Sequence, residues 1–410
     1  MGSRLHWAWI SLAVCFVNVF VNYSIRLGFG VVLPEMIRDL GLNRTQGGTI
    51  FNVYLAVYIC LTPLAGNLTD RFGARRVITL FGILLGAGAL LMGRADSLVA
   101  ACLAFGLAGA GASAMWTPVV TAVQRWFGSR WRGKALGILS TGYGFGFAAT
   151  GWLFPLLVGS FSWRVCWYAL GLWVFVMILV NGFLLRSQPE DLHLSPWREG
   201  SNAIEGGLRS DATPRGGRYR EVFHLDRFWL IGISFCLASL PLYCVTTFIV
   251  DYANVELGWS YDRASFLATV HGLSQVLGVL TIPVLSDRIG RRLTIIGTNA
   301  LIAVSIFGIL AAGRSLLGLY VSTAFFGIFY GATWPMYAAC GGDYFRKEVM
   351  GTVIGAWTPL YGLGAISAHF LGGRIRDVTG SFQLAFYLSI VFALGASFLI
   401  FKVKPPRGTR

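Results

Sequence analysis

The chain has 410 residues, of which 55% are hydrophobic and 12% are charged, and its formal net charge is +15. A soluble globular protein carries about 25% charged residues, so this composition argues against a soluble domain. The excess of basic residues could also indicate a nucleic-acid partner. Where the basic residues lie along the chain distinguishes that possibility from a membrane-topology signal.

Apolar stretches long enough to cross a bilayer as helices recur along the whole chain. About 20 apolar residues suffice for one crossing. The first stretch is too long for the core of a signal peptide, so we interpret it as a retained membrane span. Twelve spans are predicted, near residues 9–32, 49–67, 77–94, 98–121, 134–157, 163–185, 228–250, 264–285, 293–312, 316–340, 350–372 and 381–401. The predicted fold class is therefore an all-α polytopic membrane protein.

The basic residues predict how these helices are oriented. Most of the 33 lysines and arginines fall in loops on one side of the predicted spans. Positively charged loops stay in the cytoplasm, so we expect both termini to be cytoplasmic, in a bacterial inner membrane. Basicity is then a topology signal, and we expect no nucleic-acid partner. The lipid bilayer is the predicted environment.

One hydrophilic stretch divides the chain into two sets of six spans. Residues 186–227 are rich in glycine, serine, proline and charge, which is typical of a linker, here on the cytoplasmic side. The predicted domains are a six-helix bundle over residues 1–185, this linker, and a second six-helix bundle over residues 228–410.

The two sets of six spans repeat one pattern. "GNLTDRFGARR" at 66–76 returns as "PVLSDRIGRR" at 283–292. A separation of 217 or 218 positions relates Asp70 to Asp287, Trp116 to Trp334, Phe127 to Phe345 and Tyr143 to Tyr361. A shared separation indicates internal duplication. Parallel six-span repeats are typical of secondary transporters that bind their substrate between the halves.

The loop after the second span resembles the signature loop of the major facilitator superfamily. Its matching residues are Gly66, Leu68, Asp70, Arg71, Gly73, Arg75 and Arg76. The resemblance implies the twelve-helix fold of that family in two pseudo-symmetric halves. It also implies a cytoplasmic gate, whose candidate residues here are Asp70, Arg71, Arg75, Asp287 and Arg288. The alternative is that these residues only set topology.

Two further stretches resemble the monocarboxylate and oxalate–formate transporters within that superfamily. They are "RWFGSRWRGKALGILSTGYGFG" and "GATWPMYAACGGDYF". The chain departs from that branch where its members place membrane cations: Val279 stands in place of an arginine, and Trp357 lies near the position of a lysine. Sugar-acid carriers have an arginine in the first span that Arg26 resembles, with an acid where this chain has Ile25.

Arg26 belongs to a polar stripe in the first predicted span. Asn18, Asn22, Arg26 and Gly30 are spaced four apart, which places them on one helix face. Such a face points into the bundle or a cavity, because charge facing lipid is costly. A guanidinium there offers a planar fork to a carboxylate. We predict that Asn22 and Arg26 bind an anion. The alternatives are an arginine bonded to backbone carbonyls or one that reaches the headgroups.

In the superfamily that the chain resembles, the second and eighth spans flank the substrate cavity, so the resemblance implies that two pairs of polar residues face each other across it. His271 and Gln275 lie four apart in the eighth span, and their counterparts in the repeat are Tyr54 and Tyr58 in the second span. His271 is the candidate proton carrier, since the acids lie in loops or near span ends and imidazole titrates close to neutral pH. A neutral histidine bonded within the bundle is the alternative.

Aromatic residues with a polar atom complete the predicted substrate pocket. Such residues suit a site that covers a small organic body while its carboxylate is held elsewhere. The candidates are Trp116, Tyr143, Trp334, Trp357 and Tyr361. Taken singly, each is also explained by helix packing. Asp251, at the outer end of the seventh span, could gate the outer side or be a solvated helix end.

These features predict a monomeric secondary transporter for a small organic anion, a monocarboxylate, moved by proton symport or by exchange for another anion. The alternative function is efflux of apolar or cationic compounds. No nucleophile–base set is visible, so we do not expect an enzyme. The seven cysteines lie in or at the ends of apolar spans without a C-x-x-C pair, so we expect no metal site, and no cofactor motif is present.

Overall fold

The computed structural model describes residues 6–197, 222–346 and 349–404. The predicted linker 186–227 therefore lies partly outside the described residues, as do the first residues of the predicted first bundle and the last of the second. Within the described ranges the chain is helical, and its β-structure is one isolated bridge between Phe127 and Trp197. The predicted all-α class is confirmed.

The helices follow one another through short loops. The first half contains α1 (Trp7–Leu40), α2 (Arg44–Phe72), α3 (Ala74–Met92), α4 (Leu98–Ala112), α5 (Thr117–Trp126), α6 (Ser129–Ser160) and α7 (Trp163–Leu184). A short 3₁₀ helix (Pro189–Leu192) follows. The second half contains α8 (Asp226–Asp251) with a π-helical turn (Tyr252–Glu256), α9 (Tyr261–Ile289), α10 (Arg291–Ala312), α11 (Leu316–Tyr344), α12 (Met350–Thr379) and α13 (Gln383–Lys402).

Ten helical segments of the described residues are long and apolar enough to cross a membrane, with α4 and α5 taken together. The other two predicted spans correspond to α6 and α12, of 32 and 30 residues. Both exceed the roughly 20 residues of one crossing. They are rich in glycine and contain tyrosine, tryptophan and proline, which lowers their mean hydropathy without shortening them.

The fourth predicted span is interrupted, whereas the sequence predicts one continuous helix. Helix α4 ends at Ala112, and α5 begins at Thr117. The Ser113 hydroxyl donates to the carbonyl of Ala110 at 2.7 Å, at the end of α4. Pro118 stands in the first turn of α5, where a backbone N–H has no partner within the helix, so the missing N–H of proline costs no hydrogen bond. The predicted single span 98–121 is therefore two helices, with Trp116 at the break.

The repeat is visible in the backbone of the two signature loops. Gly73 precedes α3 with φ 81° and ψ 152°, and Gly290 precedes α10 with φ 90° and ψ 141°. This region of backbone space is open to glycine and closed to most other residues. The duplicated glycine therefore marks the same tight connection in each half.

Two compact units are present. One comprises Met1–Phe29 and Val53–Ser210, and the other comprises Gly30–Asn52 and Asp211–Arg410. In the first unit α3 packs against α4 and α7. In the second unit α8 packs against α12 and α13, and α11 packs against α9 and α10. The end of α1 and the start of α2 thus pack with the second unit, although both helices begin the first repeat.

Candidate functional site

Arg26 lies within the first unit, surrounded by tyrosine rings. Its side chain is 7% exposed, and it is the only buried lysine or arginine among the described residues. The guanidinium carbon lies 5.0 Å from the ring centre of Tyr58, 5.8 Å from that of Tyr23 and 6.0 Å from that of Tyr54. Tyrosine faces attract a cation at such distances. The cluster holds a positive charge away from lipid.

The tyrosines of α2 are fixed by packing. The rings of Tyr54 and Tyr58 are parallel, and Tyr54 stacks on Phe105 of α4 with 4.6 Å between ring centres. A Cβ at Gly109 would stand 2.4 Å from the carbonyl oxygen of Tyr54, so α4 approaches α2 this closely only because residue 109 is glycine. The predicted pair Tyr54 and Tyr58 therefore lies beside Arg26, on a helix that is packed closely against α4.

Tyr143 and Trp116 extend this cluster. Tyr143, on α6, has its ring centre 5.1 Å from that of Tyr23, and Trp116 lies edge-on to Tyr143 at 6.2 Å. Helix α6 reaches α1 because Gly146 faces the carbonyl of Phe20, where a Cβ would be 2.4 Å away. We define the tyrosine cluster as Tyr23, Tyr54, Tyr58 and Tyr143.

The polar stripe of α1 divides into residues with different surroundings. Asn18 and Asn181 exchange side-chain amide hydrogen bonds of 2.7 and 2.9 Å, which tie α1 to α7. Gly30 lies in the second unit, where a Cβ would be 2.8 Å from the carbonyl oxygen of Thr247. Asn22 is buried, and its side-chain oxygen accepts no hydrogen bond within the described residues. Of the stripe, Asn22 and Arg26 remain the candidates for binding.

His271 and Gln275 are buried where α9 crosses α11 in the second unit. The His271 ring, 1% exposed, meets the rings of Phe326 and Tyr330 edge-on at 5.3 and 5.0 Å. The Gln275 side-chain oxygen has no hydrogen-bond partner among the described residues. The two candidates therefore share a deep position between helices, one turn apart on α9.

The second unit also brings Trp334 and Tyr361 together. Their ring centres are 5.6 Å apart, and both contact Phe235 of α8. Trp357 has a different environment: it is buried against Phe228, and its indole N–H donates to the carbonyl of Phe228 at 3.0 Å. Its polar atom is thus engaged within the helix packing.

The chain was compared with known proteins. The family model of the Major Facilitator Superfamily matches residues 15–261 and 231–410. The chain belongs to the Major Facilitator Superfamily. It is 25% identical over 407 residues to the protein named monocarboxylate transporter 13 of Rattus norvegicus, covering 95% of this chain and 87% of the relative. It is 22% identical over 418 residues to the 4-hydroxybenzoate transporter PcaK of Acinetobacter baylyi, covering 96% and 90%.

A solved structure shares the fold. A bacterial homologue of the human lysosomal transporter Spinster, in an inward-facing and unoccupied conformation, superposes with a TM-score of 0.77 at 16% identity, over 98% of this chain and 97% of that one. The superfamily prediction, the likeness to monocarboxylate transporters and the predicted absence of an enzyme are confirmed by the family match and these relatives.

The superfamily's signature loops bind neighbours within their own units. Asp70, Arg71 and Arg288 are exposed at the ends of α2 and α9. Arg75 donates its backbone N–H to the Ser187 hydroxyl at 3.1 Å and its guanidinium to the carbonyl of Gly182. The loop after α2 is thereby tied to the chain that leaves α7.

The second signature loop has an ion pair that sequence reasoning missed. Arg291 contacts Asp287 at 2.5 Å and Asp343 of α11 at 3.3 Å. Arg291 lies in the repeated stretch 283–292, but the offset of 217 places it opposite Ala74, so the repeat does not match it with a basic residue of the first half. Tyr23 was also missed, although its position three residues before Arg26 puts it on the same side of α1.

Proposed function

We propose that this member of the superfamily is a secondary transporter of small organic anions that carry one carboxylate. It works by alternating access, with proton symport or with exchange for another anion. It acts as a monomer in a bacterial inner membrane with both termini in the cytoplasm. The family match and the relatives above support a superfamily transporter related to carriers of organic acids.

The buried guanidinium of Arg26 is the observation that carries the proposal. It is held at the face of the tyrosine cluster, where water is scarce and a charge-assisted bond to a carboxylate is strong. The tyrosine rings supply apolar surface for a small organic body. The two carboxylates of a dicarboxylate would favour a second cation, and the branch position of such a cation is Val279 here. A single carboxylate therefore fits best.

The remaining candidates have defined roles in this proposal. Asn22 presents a buried amide oxygen one turn from Arg26, which suits a hydroxyl of the substrate. Gln275 of α9, in the second unit, also has a buried amide oxygen. In the first unit Trp116 adds an aromatic ring beside Tyr143, and in the second unit Trp334 and Tyr361 form an aromatic pair, so each unit offers aromatic surface for an organic body. Efflux of cations is disfavoured, because a buried guanidinium repels a positive charge.

Thermal stabilisation by a panel of carboxylates tests the substrate class. A ligand that binds the folded protein stabilises it by about 2.7 kcal/mol at a hundred times its dissociation constant. We expect at least one monocarboxylate to raise the melting temperature of the purified protein, and its neutral amide to leave it unchanged. If organic cations stabilise the protein and carboxylates do not, the efflux alternative is correct.

Proton coupling through His271 is a separate prediction. A negative substrate and a proton bind cooperatively, because each lowers the electrostatic cost of binding the other. We expect uptake into proteoliposomes to quicken as the outside pH falls, because His271 beside the bound anion then takes up a proton. His271→Gln keeps hydrogen-bonding capacity and should flatten this response.

The exposed His224 provides the matched control for that experiment, since it lies before α8, outside the bundle. His224→Gln should leave the pH profile of uptake unaltered. If His271→Gln retains the full profile, His271 is a structural residue, and the protein is better described as an anion exchanger or a uniporter.

A further inference from the structure

Three aromatic side chains of the first unit form a row that begins beside Arg26. Tyr23 of α1 lies one turn before Arg26, and its ring centre is 5.8 Å from the guanidinium carbon. The ring of Tyr143 lies 5.1 Å from that of Tyr23, and the indole of Trp116 lies 6.2 Å from the ring of Tyr143. We call Tyr23, Tyr143 and Trp116 the aromatic row. It leads from the buried charge to the break between α4 and α5.

Local packing and backbone hydrogen bonds fix the row. A Cβ at Gly142 would stand 3.1 Å from the carbonyl oxygen of Phe16, so α6 packs closely on α1 next to Tyr143. The Trp116 carbonyl accepts a hydrogen bond from the backbone N–H of Val120 at 2.9 Å, which fixes the start of α5. A ligand that meets rings already in place loses less freedom on binding than one that must order them.

The row leaves part of its ring surface uncovered. Tyr23 and Trp116 are half-buried, whereas Tyr54 and Tyr143 are buried. The row begins at Arg26, whose charge is kept away from lipid because a charge there is costly. The uncovered surface next to Arg26 is therefore available to a compound that binds the guanidinium.

Aromatic faces distinguish an aromatic ligand from a saturated one of the same size. The face of an aromatic ring carries a partial negative charge and its edge a partial positive one, so two rings prefer edge-on or offset contacts. The row itself has this arrangement, since Trp116 meets Tyr143 with 66° between the ring planes. A saturated ring has no such polarity and gains only from the removal of its surface from water.

The extent of the row sets the size of the organic body. A carboxylate bound at the Arg26 guanidinium stands at one end, and the ring centres that follow are spaced 5.1 and 6.2 Å apart. The methyl or ethyl group of a short-chain acid reaches only the first ring, Tyr23. A six-membered ring attached to the carboxylate is long enough to contact Tyr23 and Tyr143 together.

We infer that the site takes aromatic monocarboxylates, with the carboxylate at Arg26 and the ring packed along the aromatic row, in preference to short aliphatic acids and saturated rings. The inference rests on the proposed function, because it names the substrate class of the same site. It gives Tyr23, Tyr143 and Trp116 a role in specificity that is separate from the charge of Arg26.

Benzoate and cyclohexanecarboxylate test this preference. The two acids have the same number of carbon atoms and the same charge at neutral pH, and they differ in aromaticity. Cyclohexanecarboxylate has the larger apolar surface, so burial of apolar surface alone would favour it. Each acid is titrated by calorimetry into purified protein in nanodiscs. We expect the dissociation constant of benzoate to be about ten-fold lower, an effect of the size that one or two aromatic pairs give.

Variants of the row locate the cause of the preference. Trp116→Leu and Tyr23→Leu keep an apolar side chain but remove a ring. Each should weaken benzoate binding by about five-fold and change cyclohexanecarboxylate binding much less, so the two dissociation constants approach each other. A general loss of structure would weaken the binding of both acids alike. Trp152→Leu is the matched control, because Trp152 lies on α6 and is 60% exposed, and it should leave the ratio of the two constants unchanged.

Equal binding of the two acids, or tighter binding of cyclohexanecarboxylate, would overturn the inference and leave the proposed function intact, because a carboxylate still binds. The same conclusion follows if propionate binds and benzoate does not. A preference for benzoate that survives in both Trp116→Leu and Tyr23→Leu would also overturn it, since the row would not be the cause. If no carboxylate binds and organic cations do, the proposed function fails and this inference fails with it.

Discussion

Replacing Arg26 with alanine is expected to abolish substrate binding and transport while the protein still folds. The substitution removes the buried cation that the tyrosine cluster surrounds. Truncating one partner of a buried, hydrogen-bonded charge pair costs about 2–5 kcal/mol, which corresponds to a loss in affinity of roughly 30-fold to several thousand-fold. Binding measured by thermal stabilisation and uptake measured in proteoliposomes should both fall.

Arg26→Lys separates charge from geometry. Lysine keeps the positive charge but loses the planar fork that matches a carboxylate, so we expect weak binding and slow transport. The matched control is Arg38→Ala, in the same helix, whose side chain is 66% exposed and pairs with Glu35 one turn away. If the Arg26→Ala protein carries monocarboxylates at the wild-type rate, Arg26 is a structural residue and the proposed site is wrong.

Gly278→Ala is expected to have the largest effect on stability. Helix α9 crosses α11 here, and a Cβ at residue 278 would stand 1.8 Å from the carbonyl oxygen of Ile328. The clash is with backbone, so no rotamer change relieves it, and the helices must separate. Overpacking of this kind costs about 1–3 kcal/mol and occasionally more. The melting temperature of the purified protein should fall clearly.

The consequences of that substitution should reach the binding candidates on α9. Gly331 and Gly327 of α11 also lie close to the backbone of Gln275 and His271, so this crossing sets the depth and rotation of both residues. Gly297→Ala is the control, because nothing lies within 4 Å of its added Cβ and alanine is the better helix former by about 0.5–1 kcal/mol. A Gly278→Ala protein that melts like the wild type would show that the crossing is looser than these distances.

The described first part of the predicted linker packs against other parts of the chain. Trp197 exchanges backbone hydrogen bonds with Trp126 and Gly128, at 2.9 and 3.1 Å, and its ring lies 5.0 Å from that of His6. Composition alone marks residues 186–227 as a connection, since glycine, serine and charge cannot bury a core. It gives no sign that the first part of the connection packs beside α5.

Local sequence patterns predict the class of the protein, most of its helices and its superfamily. Apolar length is a local property, because about 20 residues cross a bilayer whatever their neighbours are. The constant offset of 217 or 218 positions revealed the duplication, and the signature loop pointed to the superfamily. The placement of Arg26 and the two α2 tyrosines on inward faces also followed from helical periodicity, since the cost of charge in lipid leaves few choices.

Which neighbouring helix an inward-facing side chain contacts follows only from the tertiary structure. Periodicity gives the direction of a side chain around its own helix, but the partner on the next helix depends on crossings that glycines such as Gly109 and Gly278 permit. For this reason helical spacing groups Asn18 with Arg26, although Asn18 pairs with Asn181, and it gives no sign of the break at Trp116 within the fourth span. The pairing of Arg44 with Asp251 joins residues more than 200 positions apart. Only the packing of the start of α2 against the end of α8 brings those charges together.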